Sequence, residues 1–181
     1  MKIMKLIYIL GLCLLFASCL DVEKQDHLKQ LTALDKRVDS IQVEFEILKK
    51  DTISEILYTM KMVNNTIKEN IGDDTIDLET AKNLEKFSKI YRKLSSLEGY
   101  NEKILFGSQE AKNSIESLHK DIQEGNGERV NYEKFVAFET KKVKDLHRLL
   151  LDMEKLQKDG VTEYVRVHNE VEKFANSLIN N

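Results

Sequence analysis

The chain has 181 residues, with 28 basic and 31 acidic side chains, a formal net charge of −3, no Pro, no Trp, 7 Gly and 2 Cys. That length suits one domain of about 100–200 residues or one extended helical body. So few Gly and no Pro cannot punctuate the many tight turns of a β-sandwich or barrel. Mixed charge and a pI near 5.9 speak against a dedicated nucleic-acid binder.

The N-terminus carries Lys2 and Lys5, then an almost unbroken apolar run over Leu6–Phe16, then Ala17-Ser18-Cys19. A basic start, a short apolar stretch and small residues before a cleavage point describe an export signal. The run is too short to span a bilayer as a helix, which needs about 20 residues. Leu15-Phe16-Ala17-Ser18-Cys19 resembles the bacterial lipobox, in which lipid is attached to the Cys sulfur and the chain is cut just before it. Phe16 stands where Leu is usual, with Leu15 one place back, as in the relaxed lipoboxes of Bacteroidota or spirochaetes. The bland alternative is ordinary secretion with a cut near Ser18 and a free thiol at Cys19.

The resemblance implies a signal peptide over residues 1–18, a lipidated tether over 19–22 and a helical domain over 23–181. Cys13 would leave with the signal and Cys19 would carry the lipid. The mature chain of 163 residues would then hold no thiol, no disulfide and no Cys-based metal site, at a net charge of −5. Acyl chains, palmitate among them, contribute about 0.8 kcal/mol per buried CH₂, so two or three hold a protein stably on a membrane. Leu20 rather than Asp follows the Cys, which by the same resemblance implies an outer membrane, at its periplasmic face or at the cell surface.

Beyond the signal, Ile71-Gly72-Asp73-Asp74-Thr75 and Glu124-Gly125-Asn126-Gly127 interrupt helix-period stretches. They divide the chain into arms over about 23–70, 77–124 and 129–178, with Asp74 or Thr75 as the expected cap of the second. Matched helices joined by short connections favour antiparallel neighbours. The spacing therefore predicts an all-α fold, an elongated antiparallel three-helix bundle with coiled-coil-like seams; a four-helix bundle with one arm folded back is the alternative.

Leu31, Leu34, Val38, Ile41, Phe45 and Leu48 form a heptad seam in the first arm, and Leu84, Phe87, Tyr91 and Leu94 continue the pattern in the second. Ala111, Ile115, Leu118 and Ile122 extend it. In the third arm the expected core is Phe135, Phe138, Leu146, Leu149, Met153 and Leu156, then Val161, Tyr164, His168, Val171 and Leu178. Each arm has a softer point, at Lys50-Asp51-Thr52, Leu97-Glu98-Gly99 and Asp159-Gly160. In an antiparallel bundle these fall at similar heights. The helices are thus expected to be interrupted near mid-length, at a waist, with Thr52-Ile53-Ser54-Glu55 matching a capping box.

Motifs that carry chemistry are sparse. Glu116 and His119 form one Glu-x-x-His pair, but a di-iron bundle needs two, and neither His147 nor His168 has an acid three residues before it. Asp73, Asp74, Asp77 and Glu79 form an acidic turn without the Gly and Glu that a calcium loop needs at its sixth and twelfth positions. Lys141, Lys142, Lys144 and Arg148 read as a solvated basic face, with an anionic glycan, lipid or cell-wall polymer as the minority reading. No Ser–His–Asp order, Gly-rich phosphate loop or metal-protease signature occurs. No catalytic, cofactor-binding or metal-ligating residue is assigned.

Asp39-Ser40-Ile41, Asp51-Thr52-Ile53 and Asp74-Thr75-Ile76 each match the Asp-Ser/Thr-aliphatic sequon at which exported Bacteroidota proteins are O-glycosylated. That resemblance implies Ser40, Thr52 and Thr75 as modification sites, although two of the three also sit where helix caps are expected. With the lipobox and the Lys/Glu/Asn/Ile-rich helices, the whole resembles the small helical lipoproteins of Bacteroidota. In layout it is similar to cell-wall-binding lipoproteins of Gram-positive bacteria and to helical spirochaete surface lipoproteins.

The expected function is that of a membrane-anchored envelope lipoprotein, a non-enzymatic helical binding or spacer module whose partner is a protein or envelope polymer, with no nucleic acid involved. A small-ligand or metal carrier with its site at the waist is the alternative. Detergent phase partitioning tests the anchor. Wild type should enter the detergent phase with residues 1–18 removed, and Cys19→Ser should lose the lipidated, processed form because the thioether acceptor is gone. Unmodified wild type in the aqueous phase would overturn the lipobox reading.

Overall fold

The computed structural model describes the backbone of residues 2–49, 52–72 and 76–180, and the side chains in those ranges apart from 2–21 and 52. The chain is an all-α helical bundle. Its elements are α1 (Lys2–Leu48), α2 (Thr52–Asn70), α3 (Leu78–Ser95), α4 (Leu97–Glu124), a 3₁₀ turn (Arg129–Asn131) and α5 (Tyr132–Ile179). No strand occurs among the described residues. The first expected arm is α1 with α2, the second α3 with α4, and the third α5. Residues 19–22 lie within α1.

Two compact units divide the helices: Met1–Gln42 with Phe106–His147, and Val43–Leu105 with Arg148–Asn181. In the first unit α4 runs against both of its neighbours. Lys24 Nζ donates to the Gln123 carbonyl at 2.9 Å while Asp39 pairs with Lys112, so height gained along α1 is lost along α4. The Asp39 carboxylate also raises the Lys112 pKa, chiefly by accepting its hydrogen bond. Ser114 Oγ donates to Glu139 Oε2 at 2.8 Å, and Leu146 lies beside Gly107, which sets the same antiparallel register with α5. In the second unit α3 runs against α5: Lys93 meets Glu163 at 3.1 Å, and Phe87 lies against Tyr164 and His168.

The connections are built as the turn residues require. Gly125 (φ 76°) ends α4, with its N–H on the Ile122 carbonyl at 3.3 Å and the Asn126 N–H on the Asp121 carbonyl at 2.8 Å. That pair of bonds is a Schellman motif, and a left-handed φ makes Gly the favoured residue there. The cap of α3 is Asp77, three residues beyond the expected Asp74; both Asp74 and Thr75 lie outside the described residues. Asp77 Oδ1 accepts from the N–H groups of Glu79 at 2.8 Å and Thr80 at 3.0 Å, and Oδ2 accepts from the Thr80 hydroxyl at 2.6 Å. These bonds, the Thr80 hydroxyl first, hold the Asp77 carboxyl below its ordinary pKa. The cap therefore contributes at neutral pH and is lost as pH falls through that lowered value.

Of the seams expected in the first two arms, Leu31, Val38, Ile41 and Phe45 are buried in α1, and Phe87, Leu94, Ala111, Ile115 and Ile122 in α3 and α4, while Leu34, Leu48, Leu84, Tyr91 and Leu118 are half-buried at their margins. The third arm differs. Phe135 and Phe138 are 50% and 60% exposed, and the buried positions are Tyr132, Val136, Glu139, Val143, Leu146, Leu150 and Met153. Alternate steps of four and three make this one unbroken heptad register, displaced by one place from the phenylalanines. The expected break at Asp159-Gly160 is also absent. α5 runs through it as continuous helix, and Gly160 is a buried point of contact with α3. The other two softer points are real interruptions: α1 ends at Leu48 before α2 starts at Thr52, and Ser96 separates α3 from α4.

Two of the helical glycines, Gly99 and Gly160, should answer oppositely to Ala. Gly99 has nothing within 4 Å of where a Cβ would stand, so Gly99→Ala should stabilise by about 1 kcal/mol through helix propensity alone. At Gly160 a Cβ would stand 2.5 Å from Leu94 Cδ2 and 3.1 Å from its Cγ, with Leu94 fully buried. Gly160→Ala should destabilise despite the same propensity gain, by about 1–3 kcal/mol for overpacking. Urea unfolding of the two variants checks this, and a double-mutant cycle with Leu94→Ala isolates the clash: in the Leu94→Ala background Gly160→Ala should cost less than it does in wild type.

Candidate functional site

A seam position faces other helices, so a polar side chain there must find a partner or lose its hydration. Several such residues occur in this chain. Leu94, Leu97, Asn101, Ile104, Ser108, Ala111 and Ile115 step through α3 and α4 at heptad spacing, and Asn101 and Ser108 are the polar members. In α5 the polar members are Glu139 and Gln157, and in α1 the seam reaches back to a buried His27. Side-chain atoms shut off from solvent and without a hydrogen-bond partner occur at His27 Nδ1, Asn101 Oδ1, Ser108 Oγ and His168 Nδ1.

Asn101 lines a cleft of about 490 Å³ in the second unit, formed where α1 gives way to α2 and α3 to α4. Lys49, Ile53 and Leu57 form the side given by the first arm. Leu97, Glu98 and Asn101 form the second, and Met153 and Gln157 close it from α5. Gln157 Nε2 donates to the Leu48 carbonyl at 3.2 Å, so α5 satisfies one of the carbonyls that the end of α1 leaves open. Lys49 Nζ lies 5.8 Å from the centre of the Phe45 ring. Its size lies within the range of small-molecule sites, about 300–1,000 Å³. What it offers a ligand is an apolar wall, one amide with no internal partner, and two charges of opposite sign.

Glu139 has the opposite character: it is buried at 6% exposure but well partnered. Besides the Ser114 hydroxyl, Lys142 Nζ stands 3.5 Å from Glu139 Oε2 and 3.2 Å from Glu110 Oε1. Lys142 also lies 5.6 Å from the centre of the Phe138 ring. In the second unit His168 stacks on Tyr164 with ring centres 4.7 Å apart, and its Nε2 lies 3.4 Å from Glu172 Oε2. Burial, with Glu172 adding to it, raises the Tyr164 pKa. His27 borders a more open groove between α1 and α5, shared with Val136 and Lys141.

The residues singled out in the sequence are scattered. Ser40 is exposed in mid-helix, donating its hydroxyl to the Lys36 carbonyl at 3.0 Å, so it caps nothing. The side chains of Cys19 and Thr52, and all of Thr75, Asp73 and Asp74, lie outside the described residues. Glu116 is exposed and His119 half-buried on α4, beside Asp35 and Lys112. No group of three His, Cys, Asp or Glu side chains placed to hold a metal occurs among the described residues. Of the basic stretch, Lys141, Lys144 and Arg148 are exposed while Lys142 is drawn toward Glu139. Among the described residues no helix is long and apolar enough to cross a membrane.

Comparison with known proteins found no matching family model, no matching curated protein and no matching solved structure.

Removing one partner of a buried pair costs more than removing both, because the survivor keeps its desolvation cost. Lys142→Met should therefore destabilise by about 2 kcal/mol, less than the ~3–5 kcal/mol of a fully buried pair since Lys142 is partly exposed. Adding Glu139→Leu to it should restore most of that loss. Denaturant unfolding of the two variants measures the difference directly.

Proposed function

We propose that the chain is a membrane-anchored envelope lipoprotein whose helical body acts as a non-enzymatic binding or spacer module. The anchor is carried by the sequence Leu15-Phe16-Ala17-Ser18-Cys19, with lipid on Cys19 and an outer-membrane address. The observation that favours a binding body is the pair Phe135 and Phe138, three residues apart on one side of α5 and both more than half or half exposed. Neither ring serves the core, and Lys142 close to Phe138 has its charge met by Glu139 and Glu110. Exposed, rigid aromatic area of this kind is what contact surfaces for a protein or an envelope polymer are enriched in.

A second reading, a small-ligand carrier, is favoured by one separate observation, the three-armed cleft around Asn101. The two readings use different units and can be tested apart. A photo-crosslinking residue at position 141 in intact cells should give a discrete adduct that disappears in a Phe135→Ser, Phe138→Ser double variant. That variant should melt within about 0.5 kcal/mol of wild type, because both rings are at the surface. No adduct, or an unchanged adduct in the variant, overturns the contact reading. Protease shaving of the same cells decides between surface and periplasmic placement.

A further inference from the structure

We propose that the cleft of the second unit recognises a neutral small molecule with an apolar body and an N–H or O–H donor, and that Asn101 is the residue that reads the donor. The proposal rests on the carrier reading and adds to it the chemical class of the ligand and the residue that selects it.

Three features of the cleft carry this inference. Ile53, Leu57, Leu97 and Met153 give an apolar wall. The charged residues of the lining are Lys49 and Glu98, which offset one another, so the cleft as a whole favours neither sign. Asn101 is the decisive feature. Its Oδ1 is cut off from solvent, and no hydrogen bond to a described residue holds it. A carbonyl oxygen in that state forgoes both water and protein partners, a cost of about 1–3 kcal/mol by general experience. The terminal torsion of an Asn side chain is broad and two-fold. No bond to a described residue fixes the amide of Asn101, so it is able to turn its oxygen toward the cleft, where a ligand donor would satisfy it.

A purely structural Asn at a seam usually pairs with a neighbour to set register. Among the described residues Asn101 Oδ1 has no such pair, and an apolar residue would fill the same seam position without an orphan atom. The location supports the same conclusion. The cleft exists because two arms break beside it while α5 passes intact, and Gln157 already satisfies the Leu48 carbonyl. The Asn101 carbonyl is left as the acceptor to be met from outside.

Hexanamide and N,N-dimethylhexanamide, which share chain and carbonyl but differ in N–H donors, serve as probes. The protein as isolated from cells is titrated with each, and the Met153 and Ile53 methyls and the Asn101 side-chain amide are followed by NMR. Hexanamide should shift all three and bind about tenfold more tightly than the dimethyl compound, the equivalent of one hydrogen bond at a desolvated site. Asn101→Leu should bring the two affinities to within about twofold, and it should fold at least as well as wild type because it removes an orphan acceptor. Equal binding of both probes by wild type, with shifts confined to the cleft, leaves the carrier reading standing and overturns donor recognition by Asn101. Absence of cleft shifts from either probe overturns the carrier reading itself.

Discussion

A heptad register that α5 holds from Tyr132 to Val171 is the constraint on which both packed units depend. Buried positions follow one another at steps of three and four through Val136, Glu139, Val143, Leu146, Leu150 and Met153, and resume at Val167 and Val171. The helix that carries them has no break from Tyr132 to Ile179. In the first unit this seam fixes the level of Ser114 and Gly107 of α4; in the second it fixes the level of Leu94 and Phe87 of α3. The other two arms are interrupted and the third is not. Helix interruptions leave backbone groups unmet, and Gln157 shows how a continuous neighbour supplies what a broken helix lacks.

Polar residues on the seams divide by whether their partners are inside the protein. Glu139 is answered from two directions, by Ser114 and by Lys142, which it shares with Glu110. The Asn101 side-chain oxygen is answered by none of the described residues. The same chain thus spends polarity in two ways, once to fix a packed interior and once at the lining of a space large enough for a guest. Orphan atoms at His27 and His168 fall between these cases, since each has its second nitrogen or its ring face engaged or near a groove.

How much of this the sequence reveals depends on which residues occupy the seams. The first two arms are legible because Leu, Ile, Val and Phe fill their core positions. The start of the third is not, because Phe135 and Phe138 outweigh Val136 and Glu139 in any count of apolarity, and only burial shows that the weaker set faces inward. Gly160 reads as a helix breaker until Leu94 is found where its side chain would be. The acidic turn reads as a cap at Asp74, yet the backbone amides are met by Asp77. Asn101 did have a signal, as the polar member of the register Leu94, Leu97, Asn101, Ile104. It is invisible to a search for catalytic or metal-binding motifs, because an amide at a seam resembles neither.

The buried carboxylate of Glu139 also bears on how the helices find their alignment during folding. Heptad seams are self-similar, so an antiparallel pair can slip by seven residues and still match apolar rows. A slip of α4 in one direction would carry Glu139 from Ser114 to the level of Asp121, and Lys142 from Glu110 to that of Ser117. The opposite slip would set Glu139 against Gly107 and Lys142 against Lys103. Each misaligned state buries a carboxylate beside like charge or beside nothing, and one of them also brings two ammonium groups together. Both alignments are disfavoured against the native one, in which the carboxylate has its hydroxyl and ammonium partners. The residue that looks most out of place in the core is therefore what gives a repetitive, glycine-poor helical chain a single register to settle into.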